Sequence, residues 1–471
     1  MVDIEKVEMG KLDAETDRNL QEFFVETGAV AAVKKGKYLV LGRKGSGKTA
    51  LFLYLRDHLP EEGITVVDLE LENYYFAAHK QLRDGGVQPF QAYTSAWLLV
   101  IYTAALAELQ DKFSRNERKV WEKLIDVLNK SDPYGNVNKI FRWIKQVKRL
   151  KLPSFNSGGV VSADLGEIVL SGGTETGLEF LTAVDQLIQF ARGVFAKYQV
   201  TVLIDRVDEG WDNQEESHDL IAGLLQATRK ICVEESACPY PPVITFLRED
   251  IWQTVEYNDS HKLAQSTHEL AWENAELVDV VEKRIQTSTG DPEAGWDSLF
   301  DPGIVSNKQN SQSFMLDRTM KRPRDILAFV TEAVEEARSN NHRIVSADDV
   351  LAAENRYSKH ITGELRNELT PLVANYKHVV GTIKHLDKAR FSWEDWLRAS
   401  SRFEWDEEYA EEVLGFLIDA SAVGLYTAGG QGGGSRTSFK FQDAEMDWVR
   451  EDRFKFHPAI AKNFGLKNRN R

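Results

Sequence analysis

Apolar positions follow two patterns along this chain, and each predicts a different layer of structure. Short apolar runs occur at Tyr38–Leu41 and Val202–Ile204, and mostly apolar stretches at Ile64–Leu69 and Val243–Leu247. Runs of this kind read as strands buried on both faces, which is the pattern of a parallel sheet. The breaker Pro239-Tyr240-Pro241-Pro242 precedes the last of them. Elsewhere apolar residues recur at three and four, which predicts helices. Leu181, Val184, Ile188, Ala191 and Phe195 follow this spacing, as do Leu277, Val280, Val281 and Ile285, and Ile326, Phe329, Val330 and Ala333. Ala50–Leu59 is also helix-like, and Ser346 before Ala347-Asp348-Asp349-Val350 is a helix start. The most apolar stretch, Ala96–Leu106, is too short to span a bilayer and predicts a buried helix.

The first apolar run leads directly into Gly42-Arg43-Lys44-Gly45-Ser46-Gly47-Lys48-Thr49, with Ala50 opening the helix. This matches G-x-x-x-x-G-K-[ST] at every fixed position and has the strand before and helix after that the motif requires. A strand, a glycine turn and a helix start aim several backbone N–H groups at one point, which suits a polyphosphate. Gly42, Gly45 and Gly47 let the backbone approach closely. Lys48 is expected to neutralise the β- and γ-phosphates, and the Thr49 hydroxyl to ligate Mg²⁺. Arg43 and Lys44 either add positive field or are simply solvated.

A phosphate loop needs an acid at the end of a second buried strand. Asp205 closes the run Thr201–Ile204 and is the expected metal-binding acid, acting through water. Glu209, and after it Asp208, is the expected group to polarise an attacking water; the alternative is that both cap the next turn. Arg248 ends the Val243–Leu247 strand, where a cation can face a γ-phosphate or pair with Glu249 or Asp250. Asp68 lies near the end of the Ile64–Leu69 strand.

Together the phosphate loop, Asp205-Arg206-Val207-Asp208-Glu209 and Phe246-Leu247-Arg248-Glu249-Asp250-Ile251-Trp252 resemble a bacterial P-loop ATPase family. That family is related to the STAND and origin-recognition branches of the AAA+ ATPases. Asp259, Lys262, Leu270-Ala271-Trp272, Lys321-Arg322-Pro323-Arg324-Asp325 and Phe456-His457-Pro458 extend the resemblance over most of the chain. It implies ATP with Mg²⁺, and it implies that Arg248 closes the sensor strand. It also implies that Arg324, behind the helix-starting Pro323, is a second sensor arginine. Such proteins resemble nucleotide-gated switches, many linked with defence against phages or mobile elements; no nuclease or protease motif is visible in this sequence, so an effector is expected in another chain.

One motif competes with this reading. Leu170-Ser171-Gly172-Gly173-Thr174 resembles the signature of ABC-type ATPases. There the catalytic acid directly follows the metal-binding Asp, and here Arg206 takes that place. The alternation over 158–169 predicts a hairpin turning near Asp164, so Ser171-Gly172-Gly173 is expected to be a loop between hairpin and helix.

The fold class expected is α/β, a P-loop NTPase (ASCE/AAA+-like) three-layer parallel sheet, followed by a helical lid and a C-terminal winged-helix-like domain. The boundaries expected are 1–35 for an N-terminal helical segment, 36–255 for the core with an insertion at about 112–178, 256–375 for the lid and 376–471 for the winged-helix-like domain. Phe23 or Phe24 either touches adenine or packs in the core. In the last domain, Ala420–Tyr426 and Ser438–Phe441 are expected strands around a glycine tip at 429–434.

Composition narrows the partners. The chain has 471 residues and a net charge of −15, against broad nucleic-acid binding. A basic amphipathic stretch at 139–151 (Lys139, Arg142, Lys145, Lys148, Arg149, Lys151) could meet nucleic acid, an anionic surface or an acidic partner, or be a solvated face. Glu404, Asp406, Glu407, Glu408, Glu411 and Glu412 would repel phosphates from the winged helix, so a protein partner or self-assembly is favoured over DNA. Cys232 and Cys238 have no companion pair, the histidines form no ligand spacing, and the N-terminus is not a secretion signal. A cytoplasmic protein without a membrane segment is expected. Two rivals to the switch are a DNA-binding ATPase that uses the winged helix and basic stretch, and an ATP-bound scaffold with vestigial hydrolysis.

Overall fold

The computed structural model describes residues 2–70, 89–131, 176–207, 215–234, 239–255, 260–429 and 434–467. Asp208, Glu209, Cys238, Asp259, the basic stretch at 139–151, the predicted hairpin at 158–169 and Leu170–Thr174 lie outside them. The chain forms two compact units, Glu26–Leu270 and Met1–Val25 with Ala271–Arg471.

The first unit is built on a parallel sheet of β1 (Leu39–Gly42), β2 (Thr65–Glu70), β3 (Val200–Asp205), β4 (Val243–Arg248) and β5 (Thr267–Glu269). The described strands run in the order β2-β3-β4-β1-β5. Each neighbouring pair is parallel. Side chains alternate between faces. Leu39, Leu41, Val67, Leu69, Val202, Ile204 and Leu247 share one core with α2 (Pro89–Leu109), α3 (Arg115–Ser131), α4 (Thr176–Phe195) and α5 (Glu215–Glu234). Phe246 points to the other face, where Phe52 of α1 (Lys48–His58) meets it edge-on at 5.8 Å between centroids. The result is three layers. Helix α2 is apolar all round and buried from Ala96 to Ala107, as expected for a helix inside a large core. Among the described helices none is long and apolar enough to cross a membrane.

β5 was not expected. Thr267-His268-Glu269 carries no apolar run, since it is a short edge strand whose side chains stay half-exposed. It is recruited by pairing with β1, Leu39 opposite Thr267 and Leu41 opposite Glu269. A short helix, α6 (Glu249–Thr254), follows β4 without a linker.

The second unit holds α7 (Asn274–Thr289), a short antiparallel pair β6 (Ile304–Ser306) and β7 (Gln309–Asn310), α8 (Pro323–Ser339) and α9 (Ala347–Leu369). Pro323 is the first helical residue of α8, and Ser346 caps α9 through Asp349 in a capping box. Helix over 1–35 is confined to short pieces at Ile4–Lys6, Leu20–Phe23 and Gly28–Lys34. Two arginines fasten the arm before Val25. Arg338 donates to the carbonyls of Ile4 (2.8 Å) and Val7 (2.7 Å), and buried Arg284 donates to Met9 (2.8 Å). Burial pulls the Arg284 guanidinium down to about 10, with the Asp17 charge opposing. Phe23 is buried in this unit beneath Arg284, its ring 5.1 Å from the guanidinium carbon, so it packs in a core.

Beyond α9 the order is α10 (Tyr376–Leu386), β8 (Arg390–Ser392), α11 (Trp393–Ser400), α12 (Glu407–Asp419), β9 (Val423–Thr427), β10 (Arg436–Ser438), β11 (Arg453–Phe456) and α13 (Pro458–Phe464). The strands, whose sheet order is β10-β9-β11-β8, are antiparallel. Helices ahead of a β9–β10 hairpin that returns through β11 make this a winged-helix-like module. β10 ends three residues before the predicted Phe441, because Phe439 and Phe441 stack on each other and turn in against His457. The chain therefore has an α/β fold, a parallel sheet with a glycine-rich loop between β1 and α1, followed by a helical region and a small antiparallel module.

Candidate functional site

The site forms at the carboxyl ends of β1 and β3, where parallel α/β sheets place their ligand crevices. β4 separates the two strands, and its Arg248 is in register with Gly42. The turn after Gly42 reaches α1 through Gly45 at φ +81° and Gly47 at φ +98°, both left-handed, the second being the N-cap of α1. Gly42 is constrained differently: a Cβ there would overlap Ser46 Oγ and press on Leu270 Cβ at 3.2 Å. Ser46 is buried inside the loop, while Lys44 is exposed and Arg43, Gly45 and Gly47 are half-buried.

Lys48 and Thr49, the first two residues of α1, supply the chemistry. The Lys48 ammonium donates to the carbonyls of Gly42 (2.8 Å) and Arg43 (3.2 Å), so it arches back over the loop. The Thr49 hydroxyl donates to Asp205 Oδ2 at 3.0 Å. Residues separated by more than 150 positions in the chain thus meet side by side. Asp205 is 3% exposed at the end of the fully buried β3. Arg206 follows at φ +59°, a left-handed conformation uncommon for a residue with a side chain and concentrated at functional sites.

The donor set fits a magnesium ion. A hydroxyl and a carboxylate are hard oxygen donors, and Mg²⁺ takes one or two carboxylates alongside phosphate and water. The hydrogen bond sets the two donors side by side, so Thr49 and Asp205 would hold the ion, directly or through water. Among the described residues no group of three or more His, Cys, Asp or Glu could hold a metal by itself.

Sequence reasoning placed Lys48, Thr49 and Asp205 at one site, and they are together. Arg248 stands at the sheet's carboxyl edge, where its guanidinium pairs with Asp250 through Nε (3.0 Å) and Nη2. Arg324 is in the first turn of α8, in the other unit, with Nη1 3.5 Å from Glu364. Glu249 was considered only as a partner for Arg248, yet it also lies in the field of the loop. Burial raises its carboxyl above the ordinary range, against the pull of Arg43 and Lys48, and Glu269 and Asp250 push it further up. Its signal was the absence of any linker between Arg248 and α6. Arg322 was also missed as a structural group. It is buried beside Asp325, with Nε 3.0 Å from the carboxylate, and it reaches Glu364 at 3.2 Å.

Comparison with known proteins adds partial similarities. Residues 275–366 match a family described as the FunZ-associated C-terminal helical domain. The chain is 22% identical over 356 residues to a protein of Escherichia coli (strain K12) named putative transposon gamma-delta 80.3 kDa protein. That match covers 73% of this chain and 49% of the relative, so the chain spans about half the length of the curated relative it matches. Similar solved structures include Cdc6p from Pyrobaculum aerophilum, at 8% identity and a TM-score of 0.32, covering 95% of this chain and 93% of that one. Another is the Aeropyrum pernix ORC2 protein in its ADPNP–ADP complexes, at 11% identity and a TM-score of 0.39, covering 96% and 97%.

Proposed function

We propose that this chain is an Mg²⁺-dependent ATP-binding switch that hydrolyses its nucleotide slowly. The observation that carries the proposal is the Thr49–Asp205 hydrogen bond at 3.0 Å beneath the glycine loop, since it unites both halves of a phosphate–metal site. The backbone from Gly42 to Ala50 receives the phosphates. Lys48 leaves its loop carbonyls to meet them, and Thr49 with Asp205 holds the ion, which screens the phosphate charge. Glu209 or Asp208 positions the attacking water, and Arg248 responds to the γ-phosphate. Glu26–Leu270, with the insertion at about 112–178, acts as the ATPase core, 271–375 as the lid and 376–471 as the output module. The effector is a second protein, in a defence or regulatory setting of the STAND kind.

Equilibrium dialysis with ATP, with and without Mg²⁺, followed by phosphate release, tests this reading. Mg²⁺-dependent binding with turnover below about 1 s⁻¹, the low end for enzymes, is expected. Turnover in the hundreds per second would contradict a switch.

A second reading, a DNA-acting ATPase, is favoured by the winged-helix-like topology and by the transposon name of the Escherichia coli relative. It requires salt-dependent DNA binding and DNA-stimulated hydrolysis. An ATPase rate unchanged by duplex DNA at low salt would remove it.

A further inference from the structure

The winged-helix-like module carries two placements that are each unfavourable within a single copy. The first is on its sheet. Phe391 of β8 and Phe454 and Phe456 of β11 face the core with β9. The residues between them therefore face outward. On that outer face Lys455 stands directly opposite Arg390, both half-buried, and the exposed Arg453 precedes Lys455 by two residues along β11. Like charges directly opposite in an antiparallel pair repel each other. Arg390 lies over the Tyr426 ring at 4.5 Å, and its Nε is buried with no hydrogen-bond partner among the described residues. Among the described residues neither Arg390 nor Lys455 makes an ion pair with a carboxylate, and the Glu394 carboxylate lies in the field of Arg453. Burial, and then Arg390, holds the Lys455 ammonium below its ordinary value.

The second placement is on α12. Arg450 grips Glu407 and Glu411. Glu408 and Glu412 are exposed one turn apart, a like-charged pair that destabilises a helix. The opposite side of α12, with Ala410, Val413, Leu414 and Leu417, is buried in the same core as the inner face of the sheet. Acidic helix and basic sheet face therefore point away from each other and cannot meet within one module. Their spacings nevertheless correspond: about 6 Å between carboxylates one helical turn apart, and about 6.7 Å between alternate residues of a strand.

We propose that the basic outer face of this sheet takes the acidic α12 of a second copy of the chain, head to tail. Such a contact is heterologous, so it propagates into a ring or an open filament instead of stopping at a dimer. Glu408 and Glu412 meet Arg390, Arg453 and Lys455, and each unfavourable pairing is relieved by the other. A second copy is a better occupant than a nucleic acid, because the module's own acidic helix and the net charge of −15 repel phosphates.

Sedimentation velocity of the full chain tests this. At 0.15 M salt the expected mass rises with concentration past the dimer, and it falls to the monomer at 1 M, where the screening length drops from about 8 to about 3 Å. Arg390→Gln/Lys455→Gln and Glu408→Gln/Glu412→Gln are each expected to remain monomeric alone. Mixed, they should form a 1:1 dimer and nothing larger, since each supplies one face. The glutamate variant sits on an exposed helix surface, so its reading stands even if the sheet variant folds poorly. A wild-type monomer at low salt at all concentrations would overturn the proposal. So would association unaffected by either variant, or loss of duplex DNA binding in Arg390→Gln/Lys455→Gln with the mass unchanged.

Discussion

Gly42 carries a constraint that the motif alone does not explain. The motif asks for glycine so that the backbone can approach a phosphate, but here the nearest obstacle to a side chain is Ser46 Oγ. Gly42→Ala should therefore destabilise the protein by about 1–3 kcal/mol, the usual range for overpacking. Adding Ser46→Ala should recover much of that loss, as read by denaturant unfolding. Thr49 and Asp205 make a coupled pair, so Thr49→Val and Asp205→Asn should each weaken Mg·ATP binding. Their double mutant should lose less than the sum, by about 0.5–3 kcal/mol. The coupling in ATP affinity should vanish when EDTA removes the metal. These residues were legible in the sequence because their chemistry demands fixed spacing from a strand end. Glu249 was not, since its role depends on which loop the fold sets beside it.

Elements were legible where burial dictates composition. The strands around Val40, Ile204 and Phe246 are buried on both faces, so they are mostly apolar, with Thr201 and Thr245 as buried polar positions among them. β5 was invisible because pairing with β1, not side-chain burial, holds it in the sheet. Helix starts were readable from their caps, and two caps give testable energetics. At the start of α3, Ser114 and Glu117 form a reciprocal cap, with the Ser114 N–H donating to Glu117 Oε2 at 2.8 Å and the Glu117 N–H to Ser114 Oγ at 3.3 Å. The Lys197 ammonium and then that Ser114 N–H hold the Glu117 carboxyl at about 2, below its ordinary 4.5. A depressed carboxylate stabilises the fold above its unfolded value and loses that contribution as pH falls to its folded value. Glu117→Gln should thus lower the urea midpoint at pH 7, with the difference from wild type closing between about pH 4.5 and 2. At the start of α8, Asp325 is fully buried and accepts from Arg322 and from the Met320 N–H at 2.9 Å. Asp325→Ala leaves a buried guanidinium short of its partner and should cost about 3–5 kcal/mol. Arg322→Met with Asp325→Leu should cost less, because no charge is stranded.

At the scale of the whole molecule, Lys48 and Thr49 meet Asp205 at one site although they are far apart in the chain. Binding to the native state alone stabilises by mass action, so Mg·ATP at a hundred times its Kd should add about 2.7 kcal/mol to unfolding. The layering was legible because an α/β core alternates apolar strands with amphipathic helices. The attachment of residues before Val25 to the second unit was not, because Arg284 and Arg338 reach it through backbone carbonyls that no side-chain pattern encodes. The most direct measurement is calorimetric titration of Mg·ATP into the wild-type chain and into Lys48→Ala. Saturable one-site binding by the wild type, weakened at least about tenfold (1.4 kcal/mol) by the substitution, is the predicted result. Equal affinity of the two proteins, or no heat of binding by the wild type, would contradict it.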